Sequence, residues 1–164
     1  MADPIRLRIQ KYLTHLLETE VSVANGYNND LAGKVFRGRL LFGSTDTLPL
    51  VSILEPPVPP PVNGNPWGAG AEHDRWELVL QGWTPDDKLH PTDSAHLLAQ
   101  DVRRCLVKEK VEHRDLAGPP PLGESSITEF EIGQPVVRPP EEGTSPHAFF
   151  WLAMRLRIAE RIGA

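Results

Sequence analysis

The sequence predicts an α+β fold in which two helices pack on a mainly antiparallel or mixed sheet of about five strands. Three observations indicate this class. Apolar residues recur at helical spacing in two segments, they alternate with other residues in five more, and the resulting order α-β-β-β-α-β-β lacks the regular βαβα alternation of a parallel sheet. The chain has 164 residues, of which 40% are hydrophobic, so we expect residues 1–164 to form a single domain around one core.

Both predicted helices combine a start signal with an amphipathic stripe. The first, at about 4–20, begins at Asp3 and Pro4, and its stripe contains Ile5, Ile9, Leu13, Leu16 and Leu17. The second begins after Pro91 with Thr92 as the predicted N-cap and runs to about His113. Its stripe contains Ala95, Leu98, Val102, Cys105 and Leu106.

The strands are predicted from alternation between turn-forming segments. The runs KVFRGRLLFG and LPLVSILE are separated by GSTDT, and this spacing predicts a hairpin. DRWELVLQGW and ITEFEIGQPVVR are the third and fourth strands. The last run, HAFFWLAMRLRIAE, is predicted as a strand, although a helix would also align Phe149, Leu152, Leu156 and Ala159.

A proline-rich segment at 56–71 separates the second and third strands. Proline cannot donate a backbone hydrogen bond, so this segment is predicted to be a long loop, in part polyproline-like. Trp67 lies in the loop without belonging to a periodic face. Since tryptophan is enriched as an interface anchor, Trp67 is a candidate contact residue; the alternative is that it packs back on the domain and pins the loop.

Composition excludes several classes of protein. The 17 Lys and Arg against 22 Asp and Glu give a net charge of −5, which argues against a dedicated nucleic-acid binder. The single cysteine, Cys105, excludes an intramolecular disulfide and favours a reducing compartment. The N-terminal MADPIRLRIQKYL lacks the apolar core of a signal peptide, and no segment has the apolar length of a membrane span, so we expect a protein that is not associated with membranes.

The segment LQGWTPDDKLHPTDSAHLLAQDV concentrates aspartates and histidines, and it raises the question of a metal or acid–base site. Asp86 and Asp87 fall in a turn and Asp93 in the first turn of a helix, where carboxylates are common without a catalytic role. His96 and Asp101 are five residues apart, which is not the i, i+4 spacing of a helical ligand pair. The other histidines have no Cys, Ser or carboxylate partner at a recognisable spacing. We therefore expect no catalytic residue, cofactor or metal, and no enzymatic activity.

Six blocks, in this order, resemble the tail terminator (tail completion) proteins of long-tailed bacteriophages. They are ANGYNNDL, VFRGRLLFG, LPLVSILE, LQGW…DD…HPTDSAHLLAQDV, IGQPVVRPPEE and HAFFWLAMRLRI. The most specific is the fourth, where a strand ending in Gly-Trp is followed by an acidic turn and by Pro-Thr-Asp at the start of a helix.

The resemblance implies a small subunit that forms a hexameric ring on the finished tail tube, stops tube polymerisation and offers a joining surface to the head connector. The implied partners are further copies of the chain, the tail tube protein and the head–tail connector or neck protein. The implied location is the virion tail or neck, after assembly in the host cytoplasm. Two alternatives stay open: a head-side neck or head-completion adaptor, and a small metal-dependent hydrolase that uses the region 86–101.

A ring contact joins unlike patches on each subunit, and the sequence offers candidates for both. The basic candidates are Arg37, Arg39, Arg155 and Arg157, and the acidic ones are Asp86, Asp87, Glu141 and Glu142. In the first strand, alternation predicts that Arg37 and Arg39 share one face and that the other, apolar face contains Phe36, Leu40 and Phe42. The alternative is that these charges are ordinary solvated strand and turn residues.

Overall fold

A computed structural model describes residues 3–43, 45–56, 71–113, 122, 126–141 and 145–161, and within the strands it leaves out the side chains of 71–74, 160 and 161. The helices are α1 (Ile5–Glu20) and α2 (Asp93–Glu112), and a short 3₁₀ turn spans Val23–Asn25. The strands are β1 (Val35–Arg37), β2 (Leu50–Leu54), β3 (Ala71–Trp83), β4 (Ile127–Ile132), β5 (Val136–Arg138) and β6 (Phe149–Arg161). The predicted α+β class is confirmed.

The sheet is mixed and is centred on its two longest strands. The spatial order is β1-β2-β3-β6-β4, and β5 also pairs with β6. β3 and β6 are antiparallel and in register from Ala71↔Arg161 to Trp83↔Phe149. The last segment of the chain is therefore a strand, as predicted, and the alternative helix is wrong.

The predicted hairpin between the first two strands is wrong. β1 has only three residues and pairs with β2 in parallel, through Val35↔Val51, Phe36↔Ser52 and Arg37↔Ile53. The physical reason lies at Gly38, whose φ of 69° turns the chain off the strand, so that residues 38–43 and 45–49 belong to a return loop instead of a strand and a tight turn. Parallel neighbours need such a long connection, because the second strand must start again at the same end.

The predicted fourth strand, ITEFEIGQPVVR, is two strands on one edge. β4 and β5 both pair antiparallel with β6, and the register shifts by one residue between Ile132↔Met154 and Val136↔Trp151. Residues 133–135 form the interruption, and the backbone N–H of Gly133 donates to the carbonyl of Ala153 at 2.9 Å. This edge of the sheet therefore has a bulge next to Ala153.

Both helices pack on the same face of the sheet. The predicted stripe of α2 is buried throughout, as are Ile5, Ile9, Leu13 and Leu17 of α1. These residues form one core with the sheet positions that point toward the helices, which are Val51, Ile53, Trp76, Leu78, Leu80, Phe130, Phe150, Leu152, Met154, Leu156 and Ile158. Within the described parts of the chain, no helix lies on the opposite face, which we call the open face.

The start of α2 differs in one detail from the prediction. Thr92 precedes the helix, but its backbone is already in the right-handed helical region and its side chain makes no capping hydrogen bond. Thr92 instead contributes its backbone carbonyl to the helix, and this carbonyl accepts a hydrogen bond from the N–H of His96 at 3.0 Å. The predicted side-chain cap at Thr92 is therefore wrong.

Neither α1 nor α2, the two α-helices that the structure describes, combines the length and the apolar character needed to cross a bilayer.

Candidate functional site

The aspartates and histidines of the segment 80–102 do not converge. The Asp86 carboxylate lies 2.8 Å from Nδ1 of His147, in the loop before β6. Asp87 accepts hydrogen bonds from the backbone N–H groups of His90 and Leu89, and these bonds lower the pKa of its carboxyl below the usual range. Asp93 is exposed in the first turn of α2. Asp87 and Asp93 therefore occupy the turn and first-turn positions that the sequence predicted, whereas Asp86 contacts a residue that is distant in sequence.

Asp101 has a different role, which the sequence did not indicate. Its side chain is 1% exposed and accepts from four nitrogen donors of the turn after α1: the backbone N–H groups and the side-chain amides of Asn28 and Asn29, at 2.8 to 3.1 Å. The carboxylate thus ties the Asn-rich turn to the middle of α2.

A second polar cluster lies at the end of α2 and contains a pair that was not predicted from the sequence. The buried Glu109 carboxylate lies 3.2 Å from Nε2 of His113, which is at i+4, and accepts from the hydroxyl of Tyr12 at 3.1 Å and the N–H of Leu122 at 3.0 Å. The expectation that His113 has no carboxylate partner at a recognisable spacing is therefore wrong. His147 also has a carboxylate partner, Asp86, but the two residues lie 61 positions apart, so no spacing along the chain indicates this pair.

In the part of the chain that the structure describes, Glu109, Glu112 and His113 each bring one potential metal-ligand atom within 4.8 Å of the other two. The Glu109 carboxylate already accepts hydrogen bonds from Tyr12 and Leu122. The cluster therefore connects α1 and α2 with the segment that contains Leu122. Burial and the nearby Glu109 raise the pKa of Tyr12 to about 12.

The four arginines predicted as basic patches have intramolecular partners. Arg155 pairs with Glu77 at 3.0 Å and lies 3.9 Å from Glu131, and Arg157 pairs with Glu129 at 3.2 Å. These pairs join adjacent strands on the open face, so the strip is a ladder of alternating charges rather than a basic surface.

Alternation predicted that Arg37 and Arg39 share one face of a strand, but the structure separates them. Arg37 points toward the helices and donates to Oγ1 of Thr14 at 2.9 Å. Arg39 lies in the return loop, with its guanidinium on both carboxylate oxygens of Asp46 and 4.8 Å and 4.6 Å from the ring centroids of Phe36 and Phe42. One arginine therefore fastens β1 to α1, and the other holds the return loop together.

Three predicted contact residues remain, which are Trp67, Glu141 and Glu142. Glu141 forms an ion pair with Arg138 in the turn after β5. Trp67, Glu142 and all but the ends of the 56–71 loop lie outside the described residues.

The open face of the sheet carries the apolar surface that the sequence analysis did not assign. Trp151 is 39% exposed, and its directly opposite neighbour on β5, Val136, is 42% exposed. On the same face, Phe149 and Trp83 form a small cluster with Leu50, on which Phe42 and Leu48 of the return loop pack. The open face thus has a charged half near Arg157 and an apolar half near Trp151.

The return loop also exposes two consecutive leucines. Leu40 is 66% exposed and Leu41 is 85% exposed, whereas Phe42 beside them packs inward. The alternation of the sequence predicted Leu40 for the same buried face as Phe36 and Phe42, and it fails here because the strand ends at Arg37.

A shallow recess of about 240 Å³ lies on the open face beside the bulge. Its lining residues are Glu77, Glu131, Ile132, Gly133, Ala153, Met154 and Arg155. It exists because the small residues Ala153 and Gly133 meet there; a Cβ on Gly133 would lie 3.0 Å from the carbonyl oxygen of Ala153.

The chain matches no protein-family model, and it has no significant similarity to a curated protein.

Proposed function

We propose that the protein is a phage virion structural protein that forms a hexameric ring on the end of the tail tube. The ring ends tube polymerisation and provides the joining surface for the head connector. The six sequence blocks that resemble tail terminators suggest this role. The structural observation that supports it best is the apolar half of the open face together with the exposed leucines of the return loop.

Exposed apolar groups of this kind favour an assembly protein over an isolated monomer. Apolar surface stays in contact with water at a free-energy cost of roughly 25 cal/mol per Å², so a contiguous patch usually marks a surface that a partner covers. Trp151 is also of the residue type that most often contributes strongly to protein–protein contacts.

Ending tube growth in this way requires no chemical reaction. The ring occupies the binding surface of the last tube ring, so that the next tube ring finds no docking site. It must close on itself, which requires unlike patches related by a rotation, and it must bind the tube end better than a free tube subunit does.

A head-side neck or head-completion adaptor is the second candidate, because an adaptor of this size would also assemble as a ring with apolar contact surfaces. The hydrolase hypothesis has less support, since Asp86 contacts His147 whereas Asp101 binds the turn at Asn28, so the two carboxylates serve separate contacts. We expect metal analysis of the purified protein to find no stoichiometric ion. A bound metal, or a chelator that lowers the Tm, would favour the hydrolase hypothesis.

Native mass spectrometry and electron microscopy of the purified chain test the ring. At micromolar protein concentration, we expect a closed ring that has a central opening and the mass of six subunits. A protein that stays monomeric at concentrations well above this range, and in the presence of tail tubes, would contradict both ring-forming candidates.

A further inference from the structure

Asn25 and Gly26, at the end of the 3₁₀ turn after α1, form a dipeptide with a chemistry of its own. Asparagine followed by glycine is prone to lose its side-chain amide, because glycine has no side chain that would hinder attack by its own backbone nitrogen. Both residues are exposed, so water reaches them. The chain has a second dipeptide of this kind, Asn63–Gly64, which lies outside the described residues.

The reaction at such a dipeptide requires only water. The backbone nitrogen of Gly26 loses its proton and attacks Cγ of Asn25, and the new N–C bond closes a succinimide ring. The amide nitrogen of the side chain leaves with that proton as ammonia. Water then opens the ring at one of its two carbonyl carbons, which gives aspartate, or isoaspartate with the main chain rerouted through the side chain. Either product has a carboxylate where the amide was.

The structure engages both reacting groups in other contacts. The N–H of Gly26 donates to the carbonyl of Val23 at 3.0 Å. The side-chain amide of Asn25 donates to the carbonyl of Glu20 at 2.9 Å and to that of Thr19 at 3.4 Å. Attack requires the Gly26 nitrogen to leave Val23 and the Asn25 side chain to leave the end of α1. The reaction in the native protein therefore needs a local opening of the turn.

A third contact holds the glycine from α2. Gly26 has a φ of 85°, in the left-handed region, and its carbonyl accepts from the guanidinium of Arg104 at 3.0 Å. The same guanidinium lies 4.6 Å from the ring centroid of Tyr27, which is buried. Opening of the turn must break this contact as well, so α2 contributes to the protection of the dipeptide.

Loss of the Asn25 amide would also affect the end of α1. The carbonyls of Thr19 and Glu20 belong to the last turn of the helix, where the carbonyls have no intrahelical donor. The Asn25 amide supplies this donor. A carboxylate in its place has no hydrogen to donate, and it adds negative charge at the negative end of the helix dipole.

We propose that Asn25 is a deamidation site that the native contacts keep unreactive, and that its conversion to aspartate or isoaspartate detaches the turn from the end of α1. A chain that unfolds converts faster, and after refolding it is less stable than before. The modified residue thus records that the chain has been unfolded. Neither step depends on the proposed ring.

Peptide mapping by mass spectrometry measures the conversion of Asn25 during incubation in a mildly alkaline buffer. We expect Asn25 to convert about tenfold or more slowly in the native chain than in guanidinium chloride, because the native turn must first open. In the denaturant, Asn25 and Asn63 should convert at similar rates, since both precede glycine, so Asn63 gives the rate of an unprotected site. Equal rates at Asn25 in the native and unfolded chains would overturn the proposed protection.

Arg104→Gln tests the contact from α2. The variant should raise the native rate at Asn25 several-fold and leave the rate in guanidinium chloride unchanged. Lys110→Gln is the matched control, because it removes an exposed cation from the same helix, and it should keep the wild-type rate. A native rate that Arg104→Gln leaves unchanged would overturn the role of α2 in the protection.

Asn25→Asp reproduces the aspartate product and tests the consequence for α1. We expect its Tm to fall by several degrees, since the helix end loses a donor and gains a negative charge. Gln100→Glu makes the same amide-to-acid change at an exposed position of α2 and should keep a Tm close to that of the wild type. An unchanged Tm in Asn25→Asp would show that the turn stays attached and would overturn this half of the proposal.

Discussion

At the residue scale, the buried carboxylate of Asp101 holds the Asn-rich turn through hydrogen bonds from Asn28 and Asn29. Four nitrogen donors converge on one buried carboxylate, so removing its charge leaves donors without an acceptor. We predict that Asp101→Asn lowers the free energy of unfolding by about 3 kcal/mol, since the new amide places a donor against donors. Urea denaturation measures the loss. The control is Asp93→Asn, an exposed aspartate of the same helix, which should cost less than about 1 kcal/mol. Equal losses would mean that Asp101 does not hold the turn.

The tyrosines provide a spectroscopic test of the same packing. The chain has two, Tyr12 and Tyr27, and burial together with nearby acidic groups raises the pKa of each to about 12. The native protein should therefore form tyrosinate near pH 12, whereas the unfolded chain should do so near pH 10. Because the unfolded state loses its protons first, stability is unaffected below about pH 10 and falls as the pH rises toward 12. Ultraviolet absorbance titration follows both phenols, and ionisation of the native protein near pH 10 would show that the phenols are in contact with water.

At the element scale, a glycine allows the sheet and α2 to approach each other. A Cβ on Gly82 would lie 2.3 Å from Cε1 of Phe150 and 3.0 Å from Cδ2 of Leu98. Gly82→Ala should therefore cost about 1–3 kcal/mol, the range for overpacking a filled core. The control is Gly43→Ala, where the nearest atom is 3.9 Å away, and the expected change is within about 0.5 kcal/mol. Thermal denaturation compares the two, and equal stability would mean that the contact relaxes freely.

Elements whose signal is local were predictable from the sequence. The two helices and the long strands β3 and β6 follow from periodicity over ten or more residues, which burial on one side imposes. The pairing of β1 with β2 was not predictable in this way, because a parallel neighbour depends on where the return loop leads. The error at Leu40 has the same origin, since alternation assigns a face only while the strand continues.

The candidate site was also predictable only in part, because the sequence indicates local contacts but not contacts between distant residues. The turn roles of Asp87 and Asp93 are local, and the structure agrees with them. The partners of Asp101 lie 72 and 73 residues away, and those of Arg155 are on two other strands, so spacing along the chain gives no signal for them. The pair Glu109 and His113 is the exception, because an i, i+4 spacing on a helix was readable from the sequence.

At the scale of the whole molecule, the charges first considered for assembly stabilise the subunit as well. Arg39 holds the return loop through Asp46 and two aromatic rings, so reversing its charge would disorder the loop and weaken assembly together. A substitution at Leu41 separates these effects, since its side chain is exposed. The domain thus has a core that the helices cover on one side, and an open face that carries no helix in the described parts of the chain.

The central claim is that this chain ends tube growth, and the most direct test is electron microscopy of phage produced with a nonsense mutation early in the chain. We predict DNA-filled heads without joined tails, together with free tails of irregular and excessive length, because no ring occupies the tube end. Supplying the wild-type chain in trans should restore a single tail length. Tails of normal length that fail to join heads would contradict the terminator role and favour the head-side adaptor, and normal infectious particles would contradict both.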